Sequence, residues 1–97
     1  MQLGEQMQGR LAEMRTELEH RTVTGSAGGG IVAVEADGRG KVRSVHIDPG
    51  LLGGDTEMLE DLVAAAVADM QERAAEAAQG EMRKLQGALP FPLPFPL

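Results

Sequence analysis

The sequence predicts an α+β fold: a helix, then two or three antiparallel strands, then a long helix. Leu3, Met7, Leu11, Met14 and Leu18 recur at helical spacing near the N-terminus. Apolar residues then alternate with period two between Thr22 and Ile47. After the breakers Asp48-Pro49-Gly50, a second helical face runs from Leu59 to Ala77.

The first stripe is of heptad type and predicts a helix over residues 2 to about 20. Gly4 and Gly9 each cost roughly 1 kcal/mol against Ala in a helix interior. The first two turns are therefore expected to depend on a partner surface for cover.

In the strand region Val32, Val34 and Ala36 share one face, and Ile31, Ala33 and Glu35 the other. Asp37-Gly38 between apolar runs signals a hairpin, with a longer loop if Arg39-Gly40 join it. Val42 is out of phase with Val45 and Ile47. That marks either a bulge or a strand meeting apolar surface on both faces. Gly25 to Gly30 predict a bend or short strand where the chain passes close to another backbone.

Asp55 is the expected N-cap of the long helix, with Glu57 near its positive end. Leu59, Leu62, Val63, Ala66, Val67, Met70, Ala74 and Ala77 form its apolar face. Read from Thr56 to Gln79, it measures ~36 Å. Six-residue strands span only ~20 Å, so its second half is expected to project. Gly80 is expected to end or kink it, with Met82 to Leu85 as a final turn. The domain then spans 1–88. Residues 89–97, LPFPLPFPL, hold four of the five prolines and predict an extended, polyproline-like tail.

Composition narrows the class. The chain has 97 residues and no cysteine, so it is one domain without disulfides, as suits a reducing cytoplasm. No apolar run approaches the ~18 residues that cross a bilayer, and no signal-peptide core is evident. The reading is therefore cytoplasmic, with no membrane partner. The only aromatics, Phe91 and Phe95, lie in the tail, leaving a thin aliphatic core. Such a core favours completion by a second copy, which makes an intertwined homodimer the expected assembly.

Catalytic and cofactor motifs fail on context. The glycine run lacks the GK[ST] of a phosphate loop and leads into a strand rather than a helix. Ser26 and Ser44 with His20 and His46 lack a nucleophile elbow. Two histidines without a carboxylate cluster around them make no metal site. No enzyme activity, cofactor, metal or small-molecule substrate is expected.

Charge is unevenly placed. Residues 49 to 80 carry seven acids against Arg73, a net −6 equal to that of the whole chain, so the remainder balances. An acidic chain is ill suited to unspecific coating of nucleic acid, because affinity for duplex DNA rests largely on phosphate neutralisation. Local basic patches remain. Arg10 and Arg21 lie about three helical turns apart and share a face, Arg39, Lys41 and Arg43 alternate on one strand face, and Arg83 and Lys84 follow the acidic helix. A two-fold dimer would double each patch.

Thr24-Gly25-Ser26-Ala27-Gly28-Gly29-Gly30, then Ile47-Asp48-Pro49, then Glu57-Met58-Leu59-Glu60-Asp61-Leu62 occur in an order that resembles the YbaB/EbfC family of bacterial nucleoid-associated proteins. The resemblance covers nearly the whole chain. It implies a homodimer that binds double-stranded DNA with little sequence specificity and alters its conformation, in nucleoid organisation or gene regulation. Members are thought to contact DNA through the outer helices of a tweezer-like dimer. Carried onto this chain, that implies Arg10, Arg15, Arg21, Arg83 and Lys84 as DNA-binding residues, ahead of Arg39, Lys41 and Arg43. The departure is that Glu5, Glu13, Glu17 and Glu19 offset the arginines of the first helix, where many relatives are Lys-rich. The competing expectation is a protein-interaction module that recruits a partner, DNA-repair machinery among the options, through the first helix and the tail.

Overall fold

A computed structural model describes the backbone of residues 2–88 and the side chains of 8–87. The tail and the side chains of Leu3 and Met7 lie outside the described residues. The elements are α1 (Gln2–His20), β1 (Thr22–Ala27), β2 (Val32–Asp37), β3 (Val42–Ile47), a single 3-10 turn at Pro49–Leu51, and α2 (Thr56–Ala88). The strands form one antiparallel sheet in the order β1-β2-β3, so the expected α+β architecture holds with three strands.

The alternation in β2 places Val32, Val34 and Ala36 at 0% exposure. Against them lie Ala66, Met70, Ala74 and Ala77 of α2, with Leu59, Leu62, Val63 and Val67 partly buried around them. Helix and sheet meet most closely at Gly25. A Cβ there would lie 2.2 Å from the Met70 nitrogen and 2.4 Å from the Ala66 oxygen. No side chain fits between them, which is the close backbone approach expected of this segment. Gly28, Gly29 and Gly30 make the turn to β2 with φ of 63, 74 and 100°.

The phase problem at Val42 resolves as a bulge. Glu35 faces Ser44 and Ala36 faces Val42, which leaves Arg43 as the extra residue. Val42, Val45 and Ile47 thereby share the face of Val32, Val34 and Ala36. The β2–β3 connection is the longer loop rather than a tight Asp37-Gly38 turn. Its positive φ falls on Gly40, at 87°, and Gly38 packs against Leu18. Asp37 organises the loop, accepting from the amides of Arg39 (2.8 Å) and Lys41 (3.0 Å).

Asp55 caps α2 as expected, accepting from the amides of Glu57 (3.0 Å) and Met58 (3.3 Å). Gly80 does not end or kink it. The helix runs unbroken for 33 residues, ~50 Å at 1.5 Å per residue. Glu81 and Leu85 beyond the glycine are buried, at 3% and 7% exposure. That packing outweighs the ~1 kcal/mol that glycine costs a helix.

Beyond Ala77, α2 projects past the sheet, but not alone. Arg21 meets Glu81 while Glu17 meets Lys84, so α1 runs antiparallel beside it. The result is a two-helix arm on a molecule measuring 61 × 23 × 16 Å. Among the described residues of the α1 stripe, cover increases towards the C-terminal end. Leu18 is buried, Met14 half-buried and Leu11 exposed. Arg43 reaches the end of α1, donating to the Glu19 carbonyl (2.5 Å), one of the carbonyls that a helix terminus leaves without a partner.

Candidate nucleic-acid interface

The arm carries all five residues singled out for DNA contact. Arg10 and Arg15 project from α1, Arg21 follows its end, and Arg83 and Lys84 lie on distal α2. All are exposed. Arg10 and Lys84 line a groove between the helices together with Glu13, Glu17 and Glu81, beside Met14 and Leu85. The groove is therefore of mixed charge rather than basic.

Ion pairing separates the cations. Arg10 lies 3.9 Å from Glu13, and both are largely exposed, a geometry worth ~0–1 kcal/mol. Arg21 and Lys84 reach the buried carboxylate of Glu81, and Lys84 also lies 3.8 Å from Glu17. Arg15 and Arg83 make no ion pair with any described residue. The i,i+3 spacing of Glu81 and Lys84 is a helical pairing signal already present in the sequence. The Arg21 contact, 60 positions from Glu81, leaves no local trace.

Arg39, Lys41 and Arg43 do not share a strand face. Arg39 and Lys41 stand in the loop before β3, and Arg43 is the bulge residue. Arg39 donates to Asp37 through its Nε (3.2 Å) and Nη2 (3.0 Å) and reaches Glu19 at 3.3 Å. Burial of Asp37 raises its pKa, but the amides of Lys41 and Arg39 and the Arg39 guanidinium outweigh it. They hold the carboxyl at about 2, below its ordinary 3.8. Arg39 and Arg43 thus serve the loop and the end of α1.

The two edges of the sheet differ. At β1, Asp69 of α2 accepts from the Ser26 amide (2.9 Å) and pairs with Arg73 (3.3 Å). The Ser26 bond first, then Arg73, lowers the Asp69 pKa. Among the described residues none covers the β3 edge in this way, and Val42 and Val45 are 47% and 50% exposed. Among the described residues no cluster of three or more His, Cys, Asp or Glu could hold a metal ion. No described helix is long and apolar enough to cross a membrane.

The comparisons with known proteins agree with this architecture. The family model for the YbaB/EbfC DNA-binding family matches residues 1–89. A nucleoid-associated protein of Gemmatimonas aurantiaca is 45% identical over 92 residues, covering 92% of this chain and 88% of that one. Another, of Gluconacetobacter diazotrophicus, is 43% identical over 99 residues, covering 99% and 92%. The crystal structure of an uncharacterized Helicobacter pylori protein superposes with a TM-score of 0.78 over 86% of this chain and 88% of the other, at 23% identity, a likeness of fold. On the extent of the family match and the identity to these relatives, the chain belongs to the YbaB/EbfC DNA-binding family.

Proposed function

We propose that the protein is a homodimer that grips duplex DNA with little sequence specificity and alters its conformation, serving nucleoid organisation or gene regulation in the cytoplasm. The observation that carries this reading is the projecting two-helix arm, along which Arg10, Arg15, Arg83 and Lys84 are exposed and at whose base Arg21 is exposed beside β1. Exposed cations on a helical support position a protein on phosphates without reading bases. The relatives' description as nucleoid-associated proteins supports the same partner.

Dimerisation is supported by β3. Its apolar residues continue the core face of β2, yet α2 leaves Val42 and Val45 half exposed. A second copy seated there would complete the thin core and give the assembly two arms. Val45→Lys is expected to halve the mass measured by light scattering while leaving helix content intact. An unchanged mass would place the contact elsewhere.

Binding is tested with a labelled random-sequence duplex across a salt series. Several neutralised phosphates at ~0.9 each predict a slope of log K against log salt of magnitude ~3 to 7. Absence of binding at low salt would remove the reading.

A further inference from the structure

Two of the five arm cations converge on one buried anion. Glu81 is 3% exposed. Its Oε1 accepts from Lys84 Nζ at 3.1 Å and from Arg21 Nη1 at 3.5 Å. Arg21 follows the end of α1 and Lys84 belongs to α2, so the carboxylate ties the two helices where the arm leaves the sheet. The cations are not enclosed with it. Their side chains remain 48% and 65% exposed, each with an open side that a phosphate can approach.

A cation promotes counterion release from DNA only as far as its charge is not already neutralised. Glu81 supplies a negative charge at contact distance to both cations. Because its site is largely closed to water, that attraction is stronger than for an exposed pair at equal separation. Phosphate arriving at Arg21 or Lys84 therefore meets a group whose charge is partly satisfied from behind.

We propose that Glu81 competes with DNA phosphate for Arg21 and Lys84, and so sets how many phosphates the arm neutralises. The inference rests on the DNA-binding reading above. Glu81 acts through its neighbours and is a positioning residue, holding the arm together while limiting its grip. Neutralising it converts two structural cations into phosphate ligands.

The test compares wild type, Glu81→Gln and Glu60→Gln for binding to a labelled random-sequence duplex across a salt series, with a thermal melt of each. Glu60 is exposed on the first turns of α2, and its variant removes the same unit charge away from the arm cations. Glu81→Gln is expected to melt lower yet bind more tightly. Its salt slope should steepen by about 0.9 for each phosphate gained per subunit, while Glu60→Gln keeps the wild-type slope. A merely structural role would lower the melting temperature without steepening the slope, and that result overturns the proposal. Should Glu81→Gln fail to fold, Lys84→Ala and Arg83→Ala are compared instead, since each removes one exposed cation of distal α2 and of the two only Lys84 contacts Glu81. Lys84→Ala should flatten the wild-type slope by less than Arg83→Ala, and an equal or larger loss overturns the proposal. Wild-type protein that binds no duplex at low salt removes the DNA-binding reading and this inference with it. Wild-type binding with equal slopes in all variants removes the inference alone.

Discussion

The two halves of α2 are held by different physics. The proximal half rests on β1 and β2 through Ala66 and Met70, at a separation so small that Gly25 admits no Cβ. The distal half meets α1 across a seam where buried Leu85 and Leu18 are flanked by the Glu81, Arg21 and Lys84 ion pairs. Apolar contact at backbone distance has one solution and tolerates little change. A charged seam beside water can be adjusted by substitution and by salt. The rigid half builds the fold, and the adjustable half carries the candidate DNA contacts.

The largest effect that would break this contrast is at Gly25. Gly25→Val must lift α2 off the sheet, because the obstruction is backbone. The expected cost exceeds ~3 kcal/mol, read as loss of the cooperative urea transition. A stable Gly25→Val protein would mean that the helix is free to shift. Met70→Ala empties a fully buried site, with an expected cost of ~2–5 kcal/mol in urea denaturation.

Acid titration probes the β2–β3 loop and, through Asp69, the seat of α2 on β1. The Asp37 carboxyl lies at about 2, depressed from 3.8. Its contribution to stability is therefore fully present above pH ~4 and lost as the pH falls towards 2. Asp69 acts in the same direction. Asp37→Asn is expected to lower stability at pH 7 and to flatten the melting profile between pH 4 and 2. An unchanged acid limb would assign that loss to other carboxylates. The smallest effect belongs to the exposed arm. Arg10→Ala should change stability by less than ~0.5 kcal/mol, because Arg10 and Glu13 form an exposed i,i+3 pair. A larger loss would show that the arm depends on its rim charges.

Much of the fold was legible because local patterns report local geometry. The heptad stripe predicted α1, the alternation at Val32, Val34 and Ala36 predicted β2, and Asp55 marked the start of α2. Val42, out of phase, signalled the irregularity that proved to be the bulge at Arg43. The end of α2 is not legible locally, since Gly80 looks like a stop until Glu81 and Leu85 are seen packed against α1. The Asp37-Gly38 signal leaves a tight turn and a longer loop through Arg39-Gly40 both open, and the Asp37 carboxylate decides for the longer one. The candidate cations were readable from charge together with the family resemblance, and the pairing of Lys84 with Glu81 from i,i+3 spacing, but the engagement of Arg21 by Glu81 was not.

By itself, then, the sequence determined the order of elements, the apolar faces and the family, because periodicity, caps and turn residues act over a few positions. Tertiary structure alone decided that Glu81 engages Arg21 and how far α2 extends. Glu81 and Arg21 lie 60 positions apart, and a buried carboxylate chooses its partners by distance in space.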